Sequence, residues 1–257
     1  MPVLVLYRTG AEATQALRRS LPHGHPWRVL RCRTHAQLER VLGQHLVDGI
    51  VFAAPDPALD ELLVCRSRYP RVPLMAFAPF RPDDGELLLA CAEAQVSGIL
   101  VEGVDNAVAG DLVARWAGTA ERRRALGDAC RMLRLSDPLQ REIWFFLLDR
   151  PDQPVRTAAL AARLGLSREH LSRQFGAGGA PNLKRVIDLT RVVTASWLLG
   201  NPGYDAAGTA RILRFATASH LSATARRIAG VPAGQLGALG PRGVLTAFAR
   251  GKTRSRL

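Results

Sequence analysis

Arg168, Glu169, Ser172 and Arg173 are the residues whose types and spacing most directly describe a chemistry. An arginine fork donates two hydrogen bonds to guanine O6 and N7, a carboxylate accepts from cytosine N4, and a serine hydroxyl serves either kind of partner. On a helix turning about 100° per residue, these positions share one broad face. They lie in the segment LAARLGLSREHLSRQF, residues 160–175. Ala161, Leu164, Leu166, Leu171 and Phe175 supply its apolar spine. The spacing predicts a short helix, a tight turn at Gly165 and a second helix capped by Ser167. Two short helices joined through a glycine turn, with arginine on the free face of the second, form the layout of a helix-turn-helix. The expected partner is double-stranded DNA.

Charge supports the same expectation. The 257-residue chain carries a net +13. Residues 1–120 hold 12 Lys+Arg against 13 Asp+Glu, whereas residues 121–257 hold 23 against 9. The whole excess therefore lies in the half containing the arginine-bearing helix. A basic domain beside a neutral one is the footprint expected when phosphate neutralisation supplies affinity.

Those helices need elements to position them. A strongly apolar helix over 139–148, with Ile143, Trp144, Phe145 and Leu147, is expected to cap the DNA-binding core. GAGGAP at 176–181 reads as a flexible break, and 183–199 as a long helix with Val186, Leu189, Val193 and Trp197 on one face. GNPG at 200–203 terminates it. A second helix-turn-helix pattern follows, with helices over 206–213 and 217–228 around the turn 214–216. Its candidate base or phosphate contacts are Thr217, Ser219, His220, Ser222, Arg226 and Arg227. Lys184, Arg185 and Arg191 on the long helix are candidate phosphate contacts. Residues 236–257, rich in Gly and Arg, read as a weakly ordered basic tail.

The first 110 residues follow another pattern. Strands are expected over 3–7, 27–31, 49–54, 73–78 and 98–101, alternating with helices over 11–20, 35–45, 59–69 and 86–95. Short apolar strands alternating with helices predict a parallel sheet covered on both faces, an α/β doubly wound domain. The expected domains are 1–110 (regulatory α/β domain), 111–136 (a helical linker interrupted by ERRR at 121–124), 137–235 (an all-α tandem helix-turn-helix domain) and the tail 236–257.

Several function classes lack support. No nucleophile elbow, HExxH or phosphate-binding glycine loop is present, so no enzyme, catalytic residue or cofactor is expected. His23, His25, Cys32 and His35 match no zinc spacing and are interleaved with Arg28, Arg31 and Arg33, so no metal is expected. The chain opens MPVLVLY, with no signal-peptide pattern, and no apolar run reaches the ~18 residues of a membrane span. The four cysteines show no CxxC spacing and read as reduced thiols. Together these predict a cytoplasmic protein.

The motifs at 139–232 resemble the AraC/XylS-type transcription regulators. LAARLGLSREHLSRQF follows that family's LAxxLGxSxxxLxRxF, and RVVTASWLL at 191–199 resembles its RLxxAxxLL with Val192 in place of Leu. Ser219, Leu221, Gly230 and Pro232 stand where the family keeps similar residues. The second unit departs from the pattern. Arg214 stands at the usual turn glycine, Ala225 at the usual aromatic anchor and Ala223 at a frequent base-reading arginine. GAGGAP is shorter than the usual connection.

Residues 1–110 resemble the receiver domain of response regulators, which implies the strand order 2-1-3-4-5. The phosphoacceptor position falls on Ala53. Arg8, Thr9 and Gly10 replace the acidic pair, the fourth-strand position is near Ala78, and the fifth-strand lysine position is near Glu102. Without clustered carboxylates neither Mg²⁺ nor a nucleophile is expected, and Asp56 is a poor substitute acceptor. The resemblances imply a transcription regulator controlled through dimerisation, a partner protein (RNA polymerase or a regulatory protein) or an uncharged small ligand. The alternative is a protein-interaction adaptor or anti-regulator whose DNA binding is weak or sequence-blind.

Overall fold

The structure, a computed structural model, describes residues 1–22, 27–53, 58–81 and 84–251. Asp56, the poor acceptor substitute, the histidines His23 and His25, and the end of the basic tail at 252–257 lie outside the described residues. The chain divides into two compact units, Met1–Glu121 and Arg122–Leu257.

The first unit alternates β1 (Val3–Tyr7), α1 (Ala11–Ser20), β2 (Arg28–Cys32), α2 (His35–Gln44), β3 (Val47–Ala53), α3 (Ala58–Arg68), β4 (Leu74–Ala78), α4 (Gly85–Glu93), β5 (Gly98–Val101) and α5 (Ala109–Trp116). The five strands form one parallel sheet in the order β2-β1-β3-β4-β5, the flavodoxin-like arrangement. β1, VLVLY, is buried along its whole length, as a strand covered on both faces must be. Leu4, Leu6, Val51, Met75, Phe77 and Leu100 meet Ala13 and Leu17 of α1 and Ala109 and Val113 of α5. The alternate residues Val5, Tyr7, Ile50 and Phe52 face the other way and are equally buried. On that side the Tyr7 hydroxyl reaches Glu61 of α3.

α5 falls within the expected linker 111–136, yet it packs into the first unit. The cause is a close helix approach. Gly110 N–H donates to Ser20 Oγ at 2.8 Å, and a Cβ at Gly110 would fall onto the Ser20 backbone. The boundary between the units lies inside α6 (Gly118–Ala125), at the ERRR run.

The second unit contains α7 (Ala129–Met132), α8 (Pro138–Leu148), α9 (Thr157–Arg163), α10 (Arg168–Gly176), the 3₁₀ turn 177–179, α11 (Leu183–Leu198), α12 (Ala206–Ile212), α13 (Ala218–Ala229) and α14 (Ala233–Arg250). α11 is its spine, with Leu183, Val186, Leu189, Val192, Val193 and Ala195 buried. Helices α8, α10, α12, α13 and α14 pack against it. α14 corrects the expectation of a weakly ordered tail from 236 onward. It runs to Arg250, bent at Gly240-Pro241, and buries Leu236, Val244, Leu245 and Phe248. Arginine and glycine richness masked an apolar stripe whose value lies in covering α11 and α13.

Candidate nucleic-acid interface

α9 and α10 are joined by Leu164-Gly165-Leu166. Leu164 N–H bonds Leu160 O at 3.2 Å, Gly165 N–H bonds Ala162 O at 3.2 Å, and Leu166 N–H bonds Ala161 O at 3.0 Å. Gly165 has φ +66°, the left-handed conformation that costs glycine least. Ser167 then caps α10 by accepting from His170 N–H at 3.1 Å. Leu171 and Phe175 anchor α10 in the core. Arg168, Glu169, Ser172 and Arg173 all stand exposed on its outward side.

A side chain absent from the sequence reading sets where α10 ends. Gln140 is buried in α8 and has two roles. Its Oε1 accepts from Asp137 N–H at 3.1 Å, completing a capping box. Its Nε2 donates to Phe175 O at 2.7 Å and Ala177 O at 3.1 Å. GAGGAP, expected as a flexible break, is therefore tied to α8 at its start. The signal in the sequence was Asp137-Pro-Leu-Gln140, which has the capping-box spacing.

α12 and α13 repeat the arrangement. Leu213 N–H bonds Thr209 O at 3.0 Å, Arg214 N–H bonds Arg211 O at 3.1 Å, and Phe215 N–H bonds Ala210 O at 2.8 Å. The left-handed position is occupied by Arg214, φ +54°. Thr217 caps α13 by accepting from His220 N–H at 3.0 Å. Ser219, His220, Arg226 and Arg227 are exposed, and so is Ala223 between them. The His220 ring meets the edge of Phe215 at 5.5 Å.

Some of the expected contacts have structural partners. Ser222 Oγ accepts from Ala233 N–H at 3.3 Å, fastening α13 to the start of α14. Arg227 donates to Asp188 of α11 at 3.0 Å. Arg185 lies 5.1 Å from the Phe248 ring centre. Arg191 lies 3.7 Å above the Phe215 ring and donates to Leu213 O at 2.8 Å. Burial pushes its guanidinium below the usual arginine range, opposed by nearby Asp188. Lys184 stays exposed, and exposed Arg211 and Arg214 flank the second turn, where the sequence reading had assigned no contact.

Acids in this unit are largely engaged within it. Asp149 pairs with Arg123, Asp188 with Arg227, and Asp128 lies near Arg131 and Arg242. Asp137 and Asp205 cap helices. Residues 122–257 hold 23 Lys+Arg against 8 Asp+Glu.

In the first unit the strand carboxyl ends carry Arg8 and Thr9, Ala53, Ala78 and Glu102. Arg8 donates to both Glu61 oxygens at 3.1 and 3.2 Å. Asp48 lies at the opposite end of the sheet, accepting from Val3 N–H at 2.8 Å and Thr119 Oγ1 at 2.7 Å. Among the described residues no group of three or more His, Cys, Asp or Glu could hold a metal ion. Among them, too, no helix is long and apolar enough to cross a membrane.

No protein-family model matches the chain, and no curated protein matches it. Two solved structures of RcsB align with it. One, from Salmonella enterica serovar Typhimurium, is bound to promoter rprA in the presence of phosphomimetic BeF₃⁻; it shows 13% identity and a TM-score of 0.37 over 72% of this chain and 97% of that one. The other is the Salmonella typhimurium RcsB response regulator, with 12% identity and a TM-score of 0.34 over 73% of this chain and 96% of that one. At that level of likeness neither neighbour carries a function onto this chain.

Proposed function

We propose that residues 122–257 bind double-stranded DNA in a sequence-dependent way, and that the protein is a transcription regulator of the AraC/XylS type. α9–α10 and α12–α13 serve as its two helix-turn-helix units. The observation that carries this reading is the polarity of α10. One side is buried on Leu171 and Phe175, and the other exposes Arg168, Glu169, Ser172 and Arg173 in a strongly basic unit. α10 is the main base reader. Arg173 and Arg168 suit guanine and Glu169 suits cytosine, while Ser172 accepts or donates according to its partner.

α13 contributes less sequence information. Ala223 occupies the middle of its exposed side, and Ser222 and Arg227 are bonded within the unit. Thr217, Ser219, His220 and Arg226, with Lys184, Arg211 and Arg214, hold phosphates and fix the register. Arg185 and Arg191 support the helices from behind.

The first unit acts as a receiver-like regulatory domain without phosphorylation chemistry. It supplies a dimer contact or a surface for RNA polymerase or another protein, and the protein works on the bacterial nucleoid. Selection of binding sites from random duplexes, followed by titration at about 0.15 M salt, tests the proposal. A recovered motif bound at least tenfold more tightly than scrambled DNA is expected. Equal affinity for both sinks sequence-specific reading. That result favours the adaptor alternative, to which the exposed Ala223 also points.

A further inference from the structure

We infer that the first unit carries a binding site for a small phosphate-bearing anion at the carboxyl ends of β1 and β2. A cleft of about 320 Å³ opens there, lined by Leu6, Arg8, Thr9, Arg31, Cys32 and Arg33. Leu6 and Cys32, its apolar lining, are buried. Arg31 and Arg33 are exposed at its rim. The parallel register sets Leu6 beside Arg31 and Tyr7 beside Cys32, so adjacent strand ends deliver these arginines to one place.

Three arginines, Arg8, Arg31 and Arg33, line one small cleft, and Arg8 pairs with Glu61 at 3.1 Å. Arginine makes up half of the residues lining the cleft, whereas residues 1–121 as a whole hold 12 Lys+Arg against 14 Asp+Glu. A DNA track needs an extended basic surface; a concave cluster on an acidic unit suits a small anion instead. Phosphate fits better than a single carboxylate, because its oxygens present more acceptors than one arginine fork can fill.

Two backbone features agree. Arg8 follows β1 with φ +54°, a left-handed conformation uncommon for a residue with a side chain, and such outliers cluster at ligand sites. α1 begins two residues after Thr9, with Gly10, which offers no side-chain cap, at its N-cap and Glu12 in its first turn. These amides and the helix dipole favour an anion. The sequence reading allowed an uncharged ligand for this unit; the cleft specifies a charged one. The inference stands apart from the DNA-binding proposal, since it involves no residue of the second unit.

The test is a titration of the ¹⁵N-labelled full chain with pyrophosphate at constant ionic strength, read from amide resonances. Saturable shifts at Thr9, Gly10 and Arg31–Arg33 are expected. In the Arg31→Gln/Arg33→Gln variant this affinity should fall at least about tenfold, the loss that one charged hydrogen bond produces. Arg168→Gln/Arg173→Gln should leave it unchanged. If the first pair impairs folding, Arg31→Lys/Arg33→Lys keeps the charge and removes the forks, and binding should still weaken. Shifts confined to residues 122–257, or unchanged affinity in the rim variants, overturn the site. Succinate binding as tightly as pyrophosphate overturns its assignment to phosphate.

Discussion

Arg191 stacks on Phe215, with its guanidinium 3.7 Å from the ring centre, and donates to Leu213 O at 2.8 Å. One side chain of α11 thus holds both residues that flank Arg214, the left-handed residue of the second turn. The pair couples the central helix to the entry of α13, so Arg191 acts by holding these helices in position.

Arg191→Ala should therefore destabilise the second unit by roughly 2–4 kcal/mol, from the lost stacking and charge-assisted bond. Arg191→Lys should recover only part of this, since an ammonium lacks the planar stacking surface. Urea unfolding followed by tryptophan fluorescence reads the loss. An effect of Arg191→Ala on DNA affinity with undiminished stability counts against a positional role.

Arg173→Ala should relax base preference at one position of the selected site, with a cost of about 1–3 kcal/mol on the preferred duplex. Arg226→Ala should weaken all duplexes alike and lower the salt slope by about 1. Affinity titrations on matched and scrambled duplexes across a salt series separate the two.

Gln140→Leu keeps the approximate volume but leaves the Phe175 and Ala177 carbonyls without their Nε2 donor. A loss of about 1–3 kcal/mol is expected for the buried Phe175 acceptor, and less for that of exposed Ala177. Hydrogen exchange should rise at the end of α10 and through residues 177–181. Unchanged protection there shows that α10 is held by its apolar contacts alone.

Arg214→Gly should relieve the left-handed backbone at φ +54°. The relief of about 1–2 kcal/mol is offset partly by the extra freedom of glycine in the unfolded chain, for a net gain of about 0.5–1 kcal/mol. If exposed Arg214 touches phosphate, DNA affinity falls as stability rises. A variant that melts lower than the parent contradicts the strain argument.

Alkali should unfold the first unit preferentially. Burial pushes the Cys65 thiol from 9.0 up to about 12, with Glu39 adding to the effect. Burial and Glu61 likewise raise Tyr7 from 10.0 to about 12. The folded chain keeps protons that the unfolded chain releases, so these groups stabilise fully below pH 9 and lose their contribution between pH 9 and 12. Melting curves over that range should show the first unit weakening, with a shallower slope in Cys65→Ala.

Much of the fold was legible because burial leaves periodic marks. The runs VLVLY and GILV are uninterrupted apolar strands, and both sit where the alternation placed them. Boundaries elsewhere moved by a residue or two, as helix ends set by caps such as Thr34 and Ser167 do. The exposed face of α10 was legible too, because Leu171 and Phe175 fix which side of the helix turns inward.

Other features had no local signature. Whether Arg185, Arg191 and Arg227 reach DNA or brace helices depends on Phe248, Phe215 and Asp188, which lie far along the chain from them. The polarity of an arginine is the same in either role. α5 and α14 were read as a linker helix and a tail because their attachments are long-range, to Ser20 and α11. The basic cleft arises only when parallel pairing brings Arg31 and Arg33 beside Arg8.

The sequence by itself determined the alternation of strands and helices, the basic second half and the polar face of α10. Periodicity and charge are properties of consecutive residues. Tertiary structure alone decided which arginines are committed to the core, where the units divide and that three arginines share one cleft. Those outcomes depend on partners distant in sequence, and a side chain's chemistry is settled by whether such a partner has already taken its hydrogen bonds.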